Sequence, residues 1–280
     1  MMLIQREDVR LPAVADLFYP GDPSVLSDEI EHLMEQSETV EVRGEIKALI
    51  CPHAGYIYSG RVAATAYKLL KDSTCSVVAI ISPSHHEYFK GVSVFNGRCY
   101  KTPLGEIPIS EEYAENLISQ DERIVSSWAG HRNEHALEVQ LPFLQKVLPH
   151  ISIIPIVMGD QTFENCQLLG KALAEVLKNV PSIIVASSDL SHHHPYSEAK
   201  ELDERTCDLL NSYDEIRFKQ ALDDGTIEAC GGGPILAAMI ASKQSGARSS
   251  KVLIYKNSGD VTGEHGAVVG YLAAVFGNLN

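Results

Sequence analysis

Residues 182–192 read Ser182-Ile183-Ile184-Val185-Ala186-Ser187-Ser188-Asp189-Leu190-Ser191-His192. A short, unbroken apolar run closed by polar residues predicts a strand covered on both faces, because a strand with one wet face would alternate. The same pattern recurs at 46–51, 76–82, 151–157 and 251–255. Between these runs, apolar residues fall at helical spacing over 25–35, 60–70, 134–147, 164–177 and 233–241, with Ser59 placed to cap the second and Asn133 the third. Alternating strands and helices predict an α/β chain folded as a three-layer α/β/α sandwich with a central mixed, largely parallel sheet. Residues 92–100 would supply an extra strand that makes the sheet mixed, and the apolar run 267–276 suits a buried strand or helix.

The polar residues that end these runs carry the functional reading. His53 follows the first run by two residues, His85 and His86 follow the second by three and four, and Asp189 and His192 come just after the fourth. Open α/β sheets bind ligands beyond the carboxyl ends of their strands. Three strands therefore deliver imidazoles and a carboxylate to the edge where such folds keep their sites. Adjacent side chains diverge, so one of His85 and His86 is expected to ligate and the other to line the pocket. An Asp three residues before a His can orient the ring or share a metal with it, which marks Asp189 and His192 as catalytic candidates and leaves His193 and His194 to solvent or packing. In Cys230-Gly231-Gly232-Gly233-Pro234, the glycines allow close approach of a ligand. Pro suits a first helical turn, and a thiol near a helix N-terminus has its thiolate favoured by the dipole.

His131-Arg132-Asn133-Glu134-His135 matches the inverted zinc-protease pattern HxxEH. A cap at Asn133 would leave His131 outside the helix and spoil that pairing, so Glu134 and His135 are expected instead to line the pocket. Leu11 to Pro20 reads as a packed arm, and Gly263-Glu264-His265-Gly266 as a structural turn.

Totals narrow the function classes. The 280 residues are 45% hydrophobic and 21% charged, with no long Pro, Gly or Ser linker, which predicts one domain over residues 1–280. A net charge of -14 without any Lys/Arg-rich run argues against nucleic-acid binding. The absence of a signal-like segment and of any apolar stretch of about 18 residues argues against membrane insertion and for a cytoplasmic chain. Six cysteines with no CxxC spacing suit free thiols in such a compartment.

Five motifs then occur in a specific order: Pro52-His53-Ala54-Gly55-Tyr56, Pro83-Ser84-His85-His86, Glu134-His135 with Leu141-Pro142, Ser187-Ser188-Asp189 with His192, and Cys230-Gly231. In this order, over about residues 11–276, the chain resembles the Memo-like family, whose prokaryotic members are called AmmeMemoRadiSam system protein B. The resemblance implies the fold of the class III extradiol dioxygenases of the LigB type. It implies metal ligands at His53, His85 and Cys230, and a catalytic base at His192 with Asp189 beside it. Non-haem iron oxygenases use two His and one carboxylate. A thiolate in the carboxylate's place is softer, so either Fe(II) or copper suits the site, and Asp189 stands as the rival third ligand. The function implied is a metal-dependent, redox or oxygen-linked reaction on a small-molecule ligand. The alternative is a binding module, as animal members are linked to phosphotyrosine peptides. The prokaryotic family name implies a radical-SAM partner.

Overall fold

In the computed structural model, which describes residues 9–279, the chain is built on a mixed sheet of nine strands with helices packed against it. In chain order the elements are β1 (Val9–Arg10), α1 (Pro23–Gln36), β2 (Gly44–Cys51), α2 (Tyr56–Tyr67), β3 (Val77–Pro83), β4 (Val92–Val94), β5 (Cys99–Thr102) and β6 (Gly105–Pro108). They continue with α3 (Glu111–Ile118), β7 (Ile124–Ser126), α4 (Leu141–Val147), β8 (Ser152–Met158), α5 (Phe163–Val176), β9 (Ser182–Ser187) and β10 (His192–His194). The last are α6 (Tyr196–Ser212), α7 (Glu215–Asp223), α8 (Gly232–Gln244), β11 (Ser249–Asn257), α9 (Ser258–Thr262) and β12 (Val268–Leu279).

The sheet runs β10-β12-β2-β9-β3-β8-β4-β7, with β11 on β12. Its centre, β2-β9-β3-β8, is parallel throughout, and antiparallel pairs flank it at β12 and β4. These central strands are the fully apolar runs of the sequence: every residue of β3 is buried. A parallel sheet needs cover on both faces. One cover is α5 and α8, which pack on each other; another is α1, α2 and α4. Helix α8 is buried along Gly232–Ser242, so it is apolar on every side rather than along one stripe. It approaches α5 closely because position 170 is Gly; a Cβ there would meet Ile240 at 2.8 Å and the Ala237 carbonyl at 2.9 Å.

Several boundaries differ from the sequence reading. The second helix starts at Tyr56 rather than 60, and Ser59 is not its cap: its hydroxyl donates to the Ala54 carbonyl. The helix expected over 134–147 is α only from Leu141, after a 3-10 turn at Glu138–Gln140, because residues 134–137 are spent on the site. The extra strand over 92–100 divides. Its first part, β4, joins the main sheet, and Cys99 opens β5 of a separate sheet ordered β1-β5-β6. The run 267–276 is the strand β12. Helices α3, α6 and α7 had no counterpart in the sequence reading.

Because β2, β9 and β3 are parallel neighbours, their carboxyl ends share one edge, with Cys51 in register with Ser187. That edge carries the histidines. No helix among the described residues is long and apolar enough to cross a membrane.

Candidate metal centre

His53 sits two residues past β2, 2% exposed. Its backbone N–H donates to Asp189 Oδ1 at 2.7 Å, and its ring Nδ1 lies 2.9 Å from Ser187 Oγ. The hydroxyl of Ser187 donates to the Ala136 carbonyl (2.6 Å) and accepts from Gln140 Nε2 (2.9 Å). Its one proton is therefore used, so Nδ1 of His53 is the donor and Nε2 carries the lone pair. Burial, with His85 nearby, lowers the His53 pKa to about 3, so the ring is neutral.

His85 follows β3 and is fixed from the other side. Glu134 Oε2 accepts its backbone N–H (2.6 Å), and Oε1 accepts its ring Nδ1–H (2.9 Å). Glu134 Oε1 also accepts Ala136 N–H at 2.9 Å. Burial alone would raise the Glu134 pKa, but the hydrogen bond and charge of the His85 ring outweigh it and bring it down to about 2. A carboxylate clamping one ring nitrogen is the support that metal-ligating histidines use. It leaves Nε2 of His85 free to ligate.

The rings of His53, His85 and His135 converge: their centroids lie 5.1 Å (53–85), 5.4 Å (53–135) and 4.7 Å (85–135) apart. Their donor atoms all fall within 4.8 Å of one another, as do those of His86, Glu134 and His135. Both groups have the makings of a metal site. Burial brings the His135 pKa down to about 4. Phe18, from the N-terminal arm, packs on the His135 ring at 4.8 Å.

Cys230 reaches the same edge from the turn before α8. That turn presses on the end of β9: a Cβ at Gly231 would lie 2.2 Å from the Ser187 carbonyl, so only glycine fits. Cys230 Sγ is 3.1 Å from His53 Nε2 and accepts the Asp189 N–H at 3.2 Å. Since Nε2 carries the lone pair, the thiol donates to it. Cys230 is thus within reach of His53, but it forms no three-donor group with His53 and His85 at the spacing that unites the three imidazoles. The helix N-terminus does not make it a thiolate: burial and the Asp189 carboxylate push its pKa up to about 12.

Asp189 is 4% exposed, and burial raises its pKa. Its carboxylate serves His53, with Oδ2 3.9 Å from His53 Nε2. The expected role in orienting His192 falls instead to the Leu190 carbonyl, which accepts His192 Nδ1–H at 2.8 Å and leaves Nε2 as a proton acceptor. His194 bridges Glu198 and Glu228 on the outside, and His193 holds a left-handed φ of 64°. His131 is not a ligand. It is wholly buried, with the Tyr100 hydroxyl on Nδ1 (2.7 Å), so the HxxEH match makes no zinc site.

Sequence reading missed Arg10. Its guanidinium is 1% exposed and donates to the carbonyls of His131 (2.9 Å) and Glu134 (2.6 Å) and to the buried Glu138 carboxylate. Glu138 also holds Ala13 N–H, Val14 N–H and the Tyr19 hydroxyl. The N-terminal arm therefore straps down the segment that carries Glu134 and His135. Gln140 was also missed, and Ser187, though it stands in one of the five motifs, was given no role of its own.

The family model described as Memo-like protein matches residues 10–275. The chain belongs to the Memo family. Curated Memo relatives span the same length. A MEMO1 family protein of Methanobrevibacter smithii is 36% identical, covering 96% of this chain and 99% of that one. One from Methanosarcina mazei is 38% identical with the same coverage of each, 96% and 99%. Among solved structures, an uncharacterized Escherichia coli K12 protein, JW3007, superposes with a TM-score of 0.57 at 15% identity. It covers 83% of this Memo chain and 100% of its own, a likeness of fold alone.

Proposed function

We propose that this Memo protein binds a redox-capable metal ion through His53 and His85, with Cys230 as the third ligand, and acts on a small molecule held in the same pocket. The observation that carries this reading is the fixing of two rings, one buried at His53 and one open to solvent at His85. Ser187 holds Nδ1 of His53 and Glu134 holds Nδ1 of His85, so both Nε2 lone pairs are left for an ion. The 3.1 Å approach of Cys230 Sγ to His53 Nε2 supports the sulfur as their companion. A thiolate with two imidazoles suits copper or Fe(II). Such an ion would supply Lewis acidity and electron transfer to the ligand.

The residues around it bind, orient and move protons. His192 accepts a proton at Nε2 as general base, its ring set by the Leu190 carbonyl. Asp189 fixes the backbone of His53, and Phe18 shields the His135 side from water. A second reading puts His135 in place of Cys230, favoured by its donor atom lying within 4.8 Å of those of His53 and His85. Anaerobic metal analysis of the wild type and of His53→Ala, His85→Ala, Cys230→Ser and His135→Ala tests both. The first two variants should lose the metal. Loss of the ion held by His53 and His85 in Cys230→Ser, with its retention in His135→Ala, supports the sulfur ligand; the reverse supports His135. Unchanged metal in all four would end the metal reading.

A further inference from the structure

The pocket holds more donors than one ion on His53, His85 and Cys230 uses. We propose that it contains a second metal position, formed by His86, Glu134 and His135, adjoining the first. This rests on the reading that the pocket binds metal at all. The donor atoms of the three residues lie within 4.8 Å of one another, close enough to share one ion. His135 Nδ1 stands 3.3 Å from Glu134 Oε1, and the His86 and His135 rings are 6.0 Å apart at their centroids. The carboxylate has capacity left. Oε1 takes the His85 ring and Ala136 N–H, whereas Oε2 takes only the His85 backbone N–H and keeps a lone pair. Glu134 is 2% exposed, so this is a buried carboxylate rather than an acidic surface patch.

His85 and His86 divide the two positions between them. Of the two, the His85 ring contacts both His53 (5.1 Å) and His135 (4.7 Å), whereas the exposed His86 ring contacts His135 (6.0 Å). The inner set contains a thiol; the outer has two imidazoles and a carboxylate, a harder set that suits Fe(II), Mn(II) or Zn(II). The His85 and His135 rings, 4.7 Å between centroids, make the two donor sets immediate neighbours. Glu134 joins them, because the carboxylate that orients His85 for the inner ion would itself touch the outer one.

The test is an anaerobic Co(II) titration of the metal-stripped full chain, followed by absorption. Ligand-field bands count all bound cobalt, and the thiolate-to-cobalt charge-transfer band reports the inner position alone. The wild type should bind two equivalents. His86→Ala, at an exposed position that leaves the core intact, should bind one with the charge-transfer band kept. Cys230→Ser should lose that band and keep an equivalent that His86→Ala lacks. A single wild-type equivalent lost in Cys230→Ser and indifferent to His86→Ala would overturn the second position and leave the first. A single equivalent lost in His135→Ala but not in Cys230→Ser would overturn it too. No cobalt binding at all would remove the functional reading beneath it.

Discussion

Glu134 and His85 are joined twice: one carboxylate oxygen takes the backbone N–H of His85 and the other takes its ring N–H, at 2.6 and 2.9 Å. Position and tautomer of the imidazole are thereby set by one side chain reaching across 49 residues. Glu134→Gln keeps the shape but replaces an acceptor pair with one acceptor and one donor. Loss of such a supporting carboxylate lowers metal affinity roughly 10- to 100-fold. Competition with a chelator would measure this, with circular dichroism to show that the fold is retained. Unchanged affinity would mean that His85 is held by something other than this pair.

Cys230 should be slow to alkylate in the metal-free protein. A thiol pushed up to about 12 by burial carries very little thiolate at neutral pH, and thiolate is the reactive form. Residue-resolved mass spectrometry after iodoacetamide at pH 7 gives the rate. Labelling of Cys230 faster than that of an unfolded control would show that the helix N-terminus prevails over burial after all.

Acid should destabilise the fold through its buried histidines as the pH falls below 6.5. His131 is wholly buried, and burial lowers its pKa from 6.5 to about 3. Between those values the unfolded chain binds a proton that the folded chain refuses, so stability is full above pH 6.5 and falls as pH drops toward 3. Each histidine of this kind steepens the fall by about 1.4 kcal/mol per pH unit. His53 and His135 act in the same direction. Urea unfolding at pH 7 and pH 5 should show the loss, and His131→Gln should lessen the difference while lowering stability at both. An identical difference in the variant would mean that His131 charges without unfolding.

Arg10→Met should cost about 3–5 kcal/mol, the usual penalty for leaving one charge of a buried pair alone. Three carbonyls, those of Leu11, His131 and Glu134, lose a donor at the same time. Arg10→Met combined with Glu138→Gln should recover part of the loss in thermal melts. A cost below about 1 kcal/mol would show that Ala13, Val14 and Tyr19 satisfy Glu138 by themselves.

Much of this was legible in order along the chain. Strands β2, β3, β8 and β9 announce themselves because burial on both faces demands unbroken apolar runs, and the polar residues ending them mark the functional edge. The segment around Glu134 was not legible. Its stripe through Leu137, Leu141 and Leu144 has helical period, yet Arg10 takes the Glu134 carbonyl and His85 takes its carboxylate, and those contacts come from remote parts of the chain. Helices α6 and α7 escaped because their exposed faces dilute the apolar stripe. The thiolate that the sequence favours at Cys230 is opposed for a related reason: a helix terminus is readable locally, whereas the burial that opposes it comes from residues far away.

The sheet order has a kinetic consequence. Strands β2 and β3 carry His53 and His85 and are made early, but they are not neighbours; β9, synthesised about a hundred residues later, lies between them. Contacts of such long loop length form slowly. An ion captured by the two histidines on a nascent chain would tether strands that must still part to admit a third. On the proposed reading, loading belongs after β9 has gone in, when Ser187 and Asp189 arrive with it and the His53 ring first acquires its final orientation.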